Sequence, residues 1–120
     1  MRTEIAREYR FEAAHRLPAV QADHKCARLH GHSFRVTIRV TGPLHPELGW
    51  IVDFAVIDEA WQPLHDVLDH RYLNEVEGLS NPTSEIIAHW IVDRLRVPGA
   101  TVASVTVHET CNGSCTVHAG

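Results

Sequence analysis

The sequence predicts an α+β fold of order β-β-α-α-β-β, with one antiparallel sheet and two helices on one of its faces. Three observations predict it. The run from His30 to Thr41 alternates apolar and polar residues, as a strand with one buried face does. Two central stretches repeat apolar residues at spacings of three and four, the period of a helix. A second β-branched run, Thr101 to Thr110, follows the Pro98-Gly99 stop. With 120 residues and no internal repeat, linker or low-complexity tract, residues 1–120 are expected to form one domain.

The first strand is expected over Thr3 to His15, where Ile5, Tyr9, Phe11 and Ala13 share a face with His15. A polar loop from Pro18 to Leu29 follows, long enough in so small a domain to suggest function. In the second strand Phe34, Val36, Ile38 and Val40 alternate with Arg35, Thr37, Arg39 and Thr41. Gly42-Pro43 ends it, and the segment to Gly49 is turn-like. Asp53 offers an N-cap to a helix with the apolar stripe Phe54, Ile57, Trp61, Leu64 and Leu68. Pro63 falls inside that stripe and predicts a kink or a break. Asn81-Pro82-Thr83-Ser84-Glu85 opens a second helix, whose buried stripe runs through Ile86 or Ile87, Trp90, Ile91 and Leu95. The third strand sets Val105, Val107 and Glu109 on one side, and Cys115 to His118 adds a short fourth.

Composition narrows the function. The formal net charge is −4 and Lys25 is the single lysine, so no basic stripe exists to track a long nucleic acid. Arg10, Arg16 and Arg28 cluster in sequence, however, and suit a small phosphorylated ligand. No run is apolar and long enough to span a bilayer, and Met1 to Ile5 lack the apolar centre of a secretory signal. Three cysteines in so short a chain fit a reducing compartment, so a cytoplasmic protein is expected, its cysteines thiols or ligands.

The chemistry concentrates at Cys26-Ala27-Arg28-Leu29-His30-Gly31-His32. In an extended strand His30 and His32 point to the same face, so both can reach one metal ion, and Gly31 leaves the other face free of bulk. A catalytic zinc takes three protein ligands and keeps one position open. His15 is the candidate third, provided its strand pairs antiparallel with the one that begins at His30. Three neutral imidazoles suit zinc better than calcium or magnesium, which prefer oxygen. Downstream, Asp69 and His70 adjoin at a helix C-terminus, whose negative end favours the protonated imidazole. Glu109 ends an otherwise apolar row and is expected either to reach water or to receive a cationic or N–H-rich ligand.

Six signatures in order resemble the 6-pyruvoyltetrahydropterin synthase and 6-carboxytetrahydropterin synthase family. They are Phe11-Glu12-Ala13-Ala14-His15, the Cys26 to His32 motif, Val52-Asp53-Phe54, Leu68-Asp69-His70, Asn81 to Glu85, and Glu109-Thr110. The three residues between Cys26 and His30 are similar to the branch that serves queuosine and other deazapurines; the biopterin-forming branch carries a longer spacer. The resemblance implies the tunnelling fold, in which sheets from several subunits of a homo-oligomer, trimer-based and possibly hexameric, join into a barrel with active sites between chains. It implies a zinc-dependent lyase that converts 7,8-dihydroneopterin triphosphate to 6-carboxy-5,6,7,8-tetrahydropterin, acetaldehyde and triphosphate. On the matching positions it assigns zinc to His15, His30 and His32, and proton abstraction to Cys26. Asp69 and His70 complete the relay, Glu109 holds the pterin, and Thr83 and Ser84 are auxiliary contacts. The rival readings are a synthase of the same fold that stops at triphosphate elimination, and a non-catalytic zinc-stabilised pterin-binding protein. Cys111 and Cys115 receive no role.

Overall fold

The computed structural model describes residues 1–110 and 112–120, so the Cys111 half of the Cys111/Cys115 pair lies outside the described residues. Strands β1 (Glu4–His15) and β2 (His30–Thr41) precede helix α1 (Phe54–Leu68), a two-residue strand β3 (Arg71–Tyr72) and helix α2 (Ser84–Arg94); β4 (Thr101–His108) and β5 (Ser114–His118) complete the sheet. The strand order is β3-β1-β2-β4-β5, and the sheet of one chain is not closed. Its four long strands are antiparallel, as expected, and β3 adds a parallel pair, Ala13 with Arg71 and Ala14 with Tyr72. No alternation marks a strand of two residues, so the sequence pattern is silent there.

Alternation along the strands puts Phe11, Phe34, Val36, Ile38, Val105 and Val107 on one buried face. Ile57, Trp61 and Leu68 of α1, and Ile87, Ala88, Trp90 and Ile91 of α2, pack on that same face as a single core. Both helices start on a side-chain cap. Asp53 accepts from the Ala55 N–H, and Thr83 from the Ile86 N–H. Pro63 does not break α1, which runs unbroken to Leu68. Pro63 is exposed, as is Glu59, whose carbonyl loses its partner, so water can take the vacant bond.

At the site end of the core the Phe11 and Phe34 rings stack with centroids 4.8 Å apart. Phe34 also meets His15 and His32 edge-on, at 5.7 and 5.6 Å. Truncating it empties space under both imidazoles. Phe34→Ala is expected to cost about 3–5 kcal/mol, read as a fall in the urea midpoint, and to loosen the histidine rings in NMR spectra.

Candidate metal centre and its cavity

The hairpin register creates the centre. His15 pairs directly with His30, and the small Ala13 sits opposite His32, which leaves room for that ring to lean toward His15. The three centroids form a near-regular triangle, 4.6, 5.1 and 4.8 Å on a side. One nitrogen from each ring can be chosen so that all lie within 4.8 Å of one another, and these residues are the one such group of His, Cys, Asp or Glu among the described residues.

Backbone carbonyls fix which nitrogens face inward. His15 Nδ1 lies 2.7 Å from the Pro82 carbonyl, and His30 Nδ1 lies 2.7 Å from that of Arg28. A carbonyl only accepts, so each Nδ1 carries the proton and each Nε2 of the neutral ring keeps its lone pair. His15 Nε2 is fully buried and has no partner. An orphaned buried lone pair beside two further imidazoles suits a metal ion, so the residues fit a divalent metal. Pro82 and Arg28 contribute through their backbones alone, which is why side-chain pattern does not reveal them.

Burial is the leading cause that lowers the pKa of both His15 and His32, and the neighbouring imidazoles push the same way. Pro82 opposes it at His15, and Glu109 opposes it at both. His15 and His32 therefore stay neutral, and ready to bind a metal, below the ordinary imidazole value.

His30 and His32 line a cavity of about 590 Å³ together with Lys25, Cys26, Glu109 and Asn112. Glu109 Oε2 stands 3.9 Å from His32 Nε2, and the Glu109 N–H donates to the Gly113 carbonyl at 2.9 Å. Cys26 is a half-buried free thiol on a 3-10 turn, Lys25–Ala27. That turn is pinned twice: the Cys26 N–H donates to His24 Nδ1 at 3.0 Å, and its carbonyl accepts from the Leu17 N–H at 2.7 Å.

Asp69 and His70 are not in this cavity. They sit across β1, where Asp69 Oδ1 accepts from the Glu12 N–H at 2.9 Å and the His70 N–H donates to the Glu12 carbonyl at 2.6 Å. His70 Nδ1 is 2.8 Å from Asp69 Oδ2, and the carboxylate is held below its usual pKa first by the Glu12 N–H and then by His70. His70 takes a left-handed backbone, φ 57°, after α1 ends, and its side chain is 78% exposed. Within one chain, then, the expected meeting of this pair with Cys26 does not occur. Ser33 joins the two halves: its hydroxyl donates to Glu12 Oε2 at 2.6 Å, and its N–H to Thr110 Oγ1, also at 2.6 Å.

Other expected contacts fall elsewhere. Thr83 and Ser84 are half-buried at the start of α2, the Thr83 oxygen serving as the cap. None of Arg10, Arg16 and Arg28 lines the cavity; Arg10 borders a separate hollow by Tyr9 and Trp61, and Arg16 is tied through its backbone to Asn74. Cys115 is a half-buried thiol whose pKa is raised by burial and then by Glu85. A Cβ on Gly31 would meet only the Ala13 carbonyl, at 3.7 Å, so packing inside one chain does not demand glycine there. No helix among the described residues is long and apolar enough to cross a membrane.

A family model described as 6-pyruvoyl tetrahydropterin synthase matches residues 4–119. A protein of Synechocystis sp. named 6-carboxy-5,6,7,8-tetrahydropterin synthase is 45% identical over 118 residues, covering 92% of this chain and 88% of that one. A dihydroneopterin monophosphate aldolase of Pyrococcus furiosus is 36% identical over 101 residues, 82% of each chain. Among solved structures, the 6-pyruvoyl tetrahydropterin synthase of Caenorhabditis elegans superposes with a TM-score of 0.88 at 24% identity, over 100% of this chain and 97% of that one. That likeness carries the fold.

The lowered values of His15 and His32 set the sign of a pH effect. Below about 6.5 the unfolded chain takes up protons that folded His15 and His32 refuse, so metal-free protein is expected to lose stability as pH falls through and below that value. Urea midpoints in chelator at pH 7.5 and 5.5 measure the loss, and His15→Gln is expected to shrink it.

Proposed function

The chain belongs to the 6-pyruvoyl tetrahydropterin synthase family, and from that premise we propose that residues 1–120 form one domain acting as a zinc-dependent carbon-carbon lyase. Its substrates are 7,8-dihydroneopterin triphosphate and one water, and its products are 6-carboxy-5,6,7,8-tetrahydropterin, acetaldehyde and triphosphate, on the route to queuosine and other deazapurines. The observation that carries the reading is one cavity bordered by Cys26, two of the three converging imidazoles and Glu109. The name of the 45% identical relative supports the carboxy branch.

His15 and His30 would hold the metal through Nε2, with His32 as the third ligand. Zinc suits three neutral imidazoles and, when bound, supplies Lewis-acid polarisation of the substrate's side-chain oxygens. Cys26, as a thiolate, takes a proton from one side-chain carbon and returns one to its neighbour. Glu109 accepts two N–H bonds from the aminopyrimidine edge in a bidentate fork. Asp69 orients His70 through Nδ1, leaving Nε2 free to exchange protons. Thr83, whose oxygen already accepts from a backbone N–H, keeps its O–H to donate to the pterin, with Ser84 beside it.

The open sheet supports an assembly that completes this set. Beyond its short pairing with β3, the outer edge of β1 has no strand partner among the described residues, and neither has that of β5. The strands alternate in direction, so β5 of one chain and β1 of the next would pair antiparallel and close a ring. Asp69 and His70 lie beside β1, at the far side of the sheet from the loop that carries Glu109. Ring closure would bring them to the next chain's cavity, in a trimer-based ring or a hexamer made of two. We assign the enzyme to the cytosol, since both described cysteines are free thiols.

Product analysis decides among the family's chemistries. Acetaldehyde release from dihydroneopterin triphosphate is expected; a 6-pyruvoyl product without acetaldehyde would instead favour elimination alone, and cleavage of the monophosphate only would favour the aldolase reading. Cys26→Ala is expected to abolish turnover while zinc content and thermal melting stay unchanged. If sites form between chains, mixed oligomers of inactive Cys26→Ala and His70→Ala proteins should recover up to about a quarter of wild-type activity, the fraction of sites drawing both intact residues under random mixing.

A further inference from the structure

Charge distribution around the cavity identifies a group that sequence clustering misses. A substrate bearing an organic triphosphate brings several negative charges into a chain whose own net charge is −4. The arginines near the motif do not border the cavity, and others are engaged: Arg7 with Asp58, Arg35 with Glu8, Arg39 with Thr106, Arg94 over Trp90. Lys25 is the one lysine or arginine that lines it, and it enters no salt bridge among the described residues.

Its backbone is held on the turn that also fixes Cys26, with its carbonyl accepting from the Arg28 N–H at 3.3 Å. A lysine is a compact charge on a flexible four-carbon stem, suited to a polyphosphate whose orientation need not be read through a planar fork. Glu109 borders the cavity from the turn between β4 and β5, and Lys25 from the loop after β1. The acidic and basic groups therefore enter on separate segments, as a ligand with an N–H-rich head and an anionic tail requires.

We propose that Lys25 is the anchor for the substrate's triphosphate, setting the direction in which the ligand lies and discriminating phosphorylated from unphosphorylated pterin. This rests on the function proposed above, and it extends it to a residue that has no role there.

The test compares three ligands on wild type, Lys25→Gln and Lys25→Arg, each loaded with zinc: inorganic triphosphate, dihydroneopterin and dihydroneopterin triphosphate. For Lys25→Gln, affinity for inorganic triphosphate is expected to fall about tenfold or more, as loss of a charge-assisted contact implies. KM for the full substrate should rise by a similar factor, kcat, zinc content and the Kd of dihydroneopterin should hold within about twofold, and Lys25→Arg should restore most of the loss. Wild-type binding of inorganic triphosphate should also weaken as salt is raised. Unchanged triphosphate affinity in Lys25→Gln, or an equal loss for dihydroneopterin, would overturn the anchor. Failure of the wild type to bind dihydroneopterin or turn over its triphosphate would instead sink the proposed reaction, while selective loss of inorganic triphosphate binding would still stand for Lys25.

Discussion

The register of a single hairpin governs everything else in this molecule. Because His15 faces His30, and side chains alternate along both strands, three imidazoles meet at one end of the buried face. A slip of one residue would send His30 and His32 to the opposite face and leave His15 without either of them. The lock is the core beneath. Phe34, Val36, Ile38 and Val40 are fully buried against two helices, so a slip would expose four large apolar side chains in exchange for polar ones. The Phe11–Phe34 stack directly under the histidines and the Arg35–Glu8 pair on the other face, at 3.3 Å, hold the same alignment. Hydrophobic patterning thus does the positioning, and the polar site inherits its geometry.

That inheritance has a cost. Three rings crowded at the end of an apolar face lose hydration, and the most buried of them, His15, keeps a nitrogen without a partner. Such a group is worth keeping only if something else completes it. The carbonyl that holds His30 is local, from Arg28 two residues before it, whereas the one that holds His15 comes from Pro82 before α2, so the orientation of the His15 ring depends on tertiary structure rather than on its strand alone. Cap and carbonyl sit side by side at the start of α2. Thr83 caps the helix while Pro82 fixes the ring, which gives the Asn81 to Glu85 segment a structural reason beyond starting a helix.

Much of this was legible in the sequence because it rests on side-chain type and period. Alternation gives the long strands, spacings of three and four give the helices, and His15, His30 and His32 share the parity of the apolar face. What stayed hidden depends on backbone or on distance. Carbonyl acceptors carry no residue identity, and β3 is too short to show a pattern. Pro63 reads as a breaker because sequence does not show that its side of the helix faces water. The arginines at 10, 16 and 28 look clustered because they are near in sequence, yet strand parity and loop path separate them from the cavity, whereas Lys25 travels with Cys26 on one fixed turn.

Asp69 and His70 mark the limit of what one chain can do. They are braced as firmly as a catalytic pair should be, through two hydrogen bonds to Glu12 and one between themselves, and yet the His70 side chain is exposed to solvent. Bracing costs conformational freedom, and an exposed left-handed histidine gains little from it in isolation. The expense makes sense if the exposed face is met by another chain. The edges of β5 and of β1 beyond its short pairing with β3 would suit such a meeting, since unpaired edges invite strand addition. The network from Thr110 through Ser33 to Glu12 crosses the sheet between the turn that holds Glu109 and the strand that holds the pair. Each chain in a closed ring would then fix, by one set of bonds, both the cavity it owns and the proton carrier it lends to its neighbour.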